Sequence, residues 1–66
     1  MEHYELKVHL LVNGKELVYC NSSQPLCDAR KEMTKIINEG LIRSNGKSKF
    51  ISYPPHTIQY IEMNLA

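Results

Sequence analysis

YELKVHLLVNGKELVYC, residues 4–20, sets Tyr4, Leu6, Val8, Leu10 and Val12 at every second position, with Glu5, Lys7 and His9 between them. An apolar period of two marks a half-buried β-strand. Asn13-Gly14 follows, and that dipeptide suits a type I′ turn because both central residues need positive φ. A second strand, KELVYC, then runs back beside the first. A two-residue loop sets Val12 opposite Lys15, Leu10 opposite Leu17 and Val8 opposite Tyr19, so the apolar positions of both strands share one face. The other face takes Lys7, His9, Leu11, Val18 and Cys20, and it is mixed rather than polar.

Beyond the hairpin, residues 21–40 read as a turn and a helix. Asn21, Ser22 and Ser23 offer capping oxygens, Pro25 is tolerated in a first turn, and Asp28 sits near the positive helix end. Leu26, Ala29, Met33, Ile36 and Ile37 follow the 3.6-residue period, with Asp28, Lys31, Glu32, Lys35 and Glu39 opposite. Gly40 is the natural stop. Leu41-Ile42-Arg43 has strand character, Ser44-Asn45-Gly46 is turn chemistry, and Lys49–Tyr53 and Ile58–Met63 read as two further strands. The expected fold is a single α+β domain, β-β-α-β-β, with a small antiparallel sheet and one helix packed on one face.

Tyr53-Pro54-Pro55-His56 reads as a rigid connection, because proline fixes φ and cannot donate to a ladder. A polyproline docking motif is the functional alternative. If residues 54–57 form a four-residue loop, Tyr53 lies opposite Ile58, Ile51 opposite Tyr60 and Lys49 opposite Glu62. Phe50, Ile61 and Met63 then fall on the other face, so these strands are apolar on both sides. One helix covers only one face of a sheet. The uncovered apolar surface marks an interaction site, with Leu11, Val18, Ile51, Tyr53, Ile58 and Tyr60 as its candidate residues. A second copy packed sheet to sheet is the simplest cover, and a homodimer also suits a chain of 66 residues. A domain that small buries only ~60% of the surface its unfolded form exposes.

Composition excludes more than it suggests. Net charge is +1, but Gly40 to Ile61 contains no Asp or Glu, while Arg43, Lys47 and Lys49 contribute three positive charges. With Phe50 and Tyr53 they form a basic and aromatic stripe, the combination single-strand nucleic-acid binders use. No RRM, KH or helix-turn-helix signature accompanies it. Cys20 and Cys27 match no zinc or redox spacing. His3 and His9 share a strand face but lie about 20 Å apart at ~3.3 Å per residue, so they cannot share a metal ion, and His3, His9 and His56 each read as a lone surface histidine. Ser22, Ser23, Cys20 and Cys27 have no base at a recognisable spacing. Neither a cofactor nor catalysis is expected.

Residues 1–12 alternate apolar with charged residues or His, where a secretory leader has a continuous apolar run. The longest uncharged stretch, Phe50 to Ile61, is 12 residues with two prolines, short of the roughly 20 needed to span a bilayer. The expectation is a cytoplasmic protein with free thiols that works by binding other proteins. Nucleic-acid binding by residues 43–53 is the competing expectation.

Overall fold

The computed structural model describes residues 2–44 and 46–66. β1 (His3–Val12) and β2 (Lys15–Cys20) form the expected hairpin, followed by β3 (Gln24–Pro25), α1 (Leu26–Glu39), β4 (Leu41–Ser44), β5 (Phe50–Tyr53), a 3-10 turn (Pro55–Thr57) and β6 (Ile58–Leu65). The hairpin register is Val12 to Lys15, Leu10 to Leu17 and Val8 to Tyr19, as the sequence predicts. Asn13 and Gly14 both have positive φ, 52° and 79°. Asn45, expected in the turn after β4, lies outside the described residues.

The pairing of the last strands differs from expectation. β5 pairs with β4, Leu41 opposite Tyr53 and Arg43 opposite Ile51, as a separate two-stranded sheet. β6 crosses over and pairs antiparallel with β1, from Tyr4 opposite Leu65 to Leu10 opposite Ile58. Tyr53 therefore does not face Ile58, nor Lys49 Glu62. Pro54 and Pro55 lead into the 3-10 turn, closed by Thr57, whose N–H and hydroxyl both donate to the Pro54 carbonyl at 3.0 and 2.7 Å. That turn redirects the chain instead of folding it back on β5. β1 offers β6 a longer ladder, and so becomes the central strand, flanked by β2 and β3 on one side and β6 on the other.

The even-numbered side chains of β1 make the core. Leu6, Val8 and Leu10 are fully buried against Ala29, Ile36, Leu41 and Tyr53. Leu41 and Tyr53 come from the second sheet, so the layer over the main sheet is built from the helix and the β4–β5 ribbon together, not from the helix alone. Truncating Leu6 or Leu10 to Ala removes buried methyls from this junction, a change that costs ~2–5 kcal/mol in cores of this kind.

The helix start differs from the sequence expectation in two features. Pro25 stands before the first turn, opposite His3 in β3 and at the N-cap with φ −57° and ψ 152°. Among the described residues no side chain caps the helix start. Asn21 instead donates its backbone N–H to the Leu6 carbonyl at 2.9 Å, and its side chain accepts from Arg43.

Gly40 ends the helix as expected, its N–H donating to the Ile36 carbonyl at 2.8 Å. Its φ is 91°, and a Cβ there would collide with the carbonyl oxygen of Tyr53. Gly14 also has positive φ but open space around it. Gly40→Ala is therefore expected to lower the unfolding free energy by more than about 1 kcal/mol, and by more than Gly14→Ala does, in urea titrations. Equal losses would mean that backbone conformation alone, and not the approach of Tyr53, demands glycine at position 40.

Candidate functional site

The odd-numbered residues of β1 point away from the helix. Lys7, His9 and Leu11 lie there, flanked by Cys20, Val18 and Glu16 of β2 and by Glu62 and Tyr60 of β6. Leu11, Val18 and Tyr60 are 45–51% exposed and surround His9, which is only 8% exposed. His9 is thus not the lone surface histidine expected. A histidine on a central strand has cross-strand neighbours on both sides, and here one of them is Tyr60, stacked on the imidazole with centroids 4.1 Å apart and planes 15° apart.

The imidazole is also tied by hydrogen bonding. His9 Nε2 donates to Glu62 Oε1 at 2.8 Å. Among the described residues Nδ1 is buried without a hydrogen-bond partner, and Glu16 Oε1, 3.9 Å away, is too far for a hydrogen bond. The cross-strand pairing of Lys7 with Glu62 adds a third charge to the cluster. The sequence gives no hint of it, because His9 and Glu62 become neighbours only once β6 is known to pair with β1.

The six residues expected at a protein interface separate into two groups. Leu11, Val18 and Tyr60 share the open face. Ile51, Tyr53 and Ile58 pack on the core. A bulge accounts for Ile58: Tyr60 faces His9 and Ile58 faces Leu10, leaving Gln59 as the extra residue, so Ile58 and Tyr60 point to opposite sides. Tyr53 is buried, its hydroxyl 2.9 Å from that of Tyr19. The bond to Tyr19, reinforced by burial, holds the Tyr53 phenol above its ordinary pKa.

The basic stripe is likewise divided. The Arg43 guanidinium lies 4.8 Å from the centroid of the Tyr19 ring and donates to Asn21 Oδ1 at 3.3 Å. Arg43 and Tyr53 are therefore parts of the packing between the sheets. Lys47, Lys49 and Phe50 are exposed, and Ile42 shares Phe50's face of the second sheet.

Cys20 and Cys27 are free and exposed. Among the described residues, no group of three or more His, Cys, Asp or Glu is placed to hold a metal ion, and no helix is long and apolar enough to cross a membrane. Comparison of the chain with protein-family models, with curated proteins and with solved structures finds no match.

Glu62 supplies a pH test of the cluster. Its carboxyl is held below the ordinary glutamate pKa, first by Asn64 Nδ2 donating to Oε2 at 3.3 Å and next by His9, against an opposing effect of burial. A depressed folded-state pKa contributes stability above the unfolded value of ~4.3, and that contribution is lost as pH falls through the lower folded value. Glu62→Gln is expected to flatten the acid limb of the stability profile below about pH 4.3. Parallel acid limbs in wild type and variant, measured by thermal melts, would show that Glu62 has no such role.

Proposed function

We propose that this chain is a small non-enzymatic protein that acts through protein–protein contacts, as a homodimeric adaptor, regulator or inhibitor in the cytoplasm. The observation that carries the reading is the cluster of Leu11, Val18 and Tyr60 on the uncovered face of the main sheet. Apolar side chains grouped on one face of a sheet, rimmed by charge, are what a protein contact buries. The rim is acidic, since Glu5, Glu16 and Glu62 on this face outnumber Lys7. A partner with basic residues around an apolar strip is its complement. The sealed His9 fits the same reading: an imidazole stacked under Tyr60 and bonded to Glu62 shapes a surface but is out of reach of a substrate.

A photo-cross-linking residue at position 11 or 18, in the living host, is expected to trap a discrete protein adduct, and the same probe at exposed Lys31 none. Failure to trap an adduct from either face position, together with a monomeric mass in solution, overturns the reading.

Nucleic-acid binding has one observation in its favour, the joint exposure of Lys47, Lys49 and Phe50. Arg43 and Tyr53, already held in packing, weaken it. Anisotropy titrations with mixed-sequence single- and double-stranded oligonucleotides at two salt concentrations are expected to show no binding. Affinity that falls steeply with salt and disappears in the double variant Lys47→Glu, Lys49→Glu would put the nucleic-acid reading first.

A further inference from the structure

The main sheet has a second unsatisfied feature, the far edge of β6. β6 pairs with β1 along one side and with no strand along the other among the described residues. It is eight residues long, IQYIEMNL, with Glu62 as its only charge and neither lysine nor proline to block pairing. Folded proteins usually guard such an edge with charge, proline or cover. The opposite edge of the sheet does carry guards: β2 begins Lys15-Glu16, and Arg43 lies over its Tyr19. Beside the β6 edge is a cleft of about 250 Å³, lined by Ile37, Pro55 and residues Ile58 to Ile61. Ile37, the helix residue at that cleft, is 53% exposed.

We propose that a second copy of this chain docks antiparallel along the β6 edge, joining two four-stranded main sheets into one eight-stranded sheet with both helices on the same side. The proposal rests on the homodimeric reading above and specifies where the two-fold axis lies. Charge selects the edge over the open face. The open face carries Glu5, Glu16 and Glu62 against Lys7, so two such faces stacked together would each bring an excess of two negative charges. The edge strand itself brings only Glu62 from each copy, and a two-fold register centred on Ile61 sets Tyr60 of one copy opposite Glu62 of the other, so the carboxylates never face each other. An identical edge is also a partner of matching length, and a two-fold pair consumes both edges and stops there.

The contact area fits a reversible dimer. Eight residues at ~3.3 Å give a seam roughly 26 Å long, and a wall about 15 Å high through sheet and helix offers roughly 400 Å² per copy in projection. The pair then approaches the lower bound of about 1,000 Å² for specific interfaces, with Ile37 and the cleft adding interdigitation. Both copies keep the open face with Leu11 and Val18 free for a different protein.

Sedimentation equilibrium across a range of concentrations, paired with amide hydrogen exchange, tests this. The wild type is expected to shift from monomer to dimer with concentration, and the β6 amides not bonded to β1 to gain protection in step. The double variant Ile37→Lys, Gln59→Lys places lysines at two exposed positions on the edge and is expected to stay monomeric, while Leu11→Lys still dimerises. A wild type that is monomeric throughout overturns both this inference and the homodimeric reading. A dimer lost in Leu11→Lys but kept in the edge variant, or one whose β6 amides gain no protection, overturns the inference and leaves that reading standing. The exchange measurement uses the unmodified protein, so it decides the matter even if the edge variant fails to fold.

Discussion

β1 is hydrogen-bonded along both of its edges, and the rest of the molecule is arranged around that constraint. With β2 and β3 on one side and β6 on the other, its even-numbered side chains cannot be reached from the sheet edges. The helix and the β4–β5 ribbon need only close one face to bury Leu6, Val8 and Leu10 completely. Had β6 paired with β5 instead, β1 would have been an edge strand and its core side chains would have lain at a border. The same pairing creates the cluster on the opposite face, because His9 and Glu62 meet only across the β1–β6 ladder.

The parts of this fold legible in sequence are those fixed by local chemistry. Asn13-Gly14 determines a turn, the turn determines a register, and the alternation from Tyr4 to Val12 determines which face goes inward. The helix follows from the stripe containing Ala29 and Ile36, and its end from Gly40. The partner of β6 was not legible, because alternating apolar residues pair equally well with β1 or with β5. The two prolines suggested a short return, although the same fixed φ values also suit a 3-10 turn that carries the chain elsewhere. A local irregularity is equally hidden from the sequence: the bulge at Gln59 turns Ile58 toward the core, so residues 58 and 60 do not share a face.

The candidate site was legible for the residues placed by the first hairpin and obscure for those that depended on β6. Leu11 and Val18 were expected on an uncovered face because the hairpin register alone puts them there, and both are exposed. Tyr60 joins them, but opposite His9 and not Ile51. Tyr53 and Ile51 pack on the core and not at an interface, and the sequence does not distinguish the two, because an aromatic beside a double proline gives no sign of whether it faces a partner or a core. The hydrogen bond between the Tyr19 and Tyr53 hydroxyls explains why a phenol is accepted inside: each supplies the polar partner the other needs.

A chain this short has too few elements to close every surface of its sheet, and the order in which it closes them shapes what is left. The helix and ribbon go to the face with Leu6, Val8 and Leu10, where the gain from burial is greatest. The other face keeps its apolar groups next to carboxylates, a composition that tolerates water. Burying His9 under Tyr60 belongs to the same arrangement, since stacking shields the imidazole while the Glu62 carboxylate satisfies Nε2. What remains is the row of backbone groups along the far side of β6, which pairs with no strand among the described residues. Backbone donors and acceptors at an edge are met by water or by another strand, and only the second also buries Ile37.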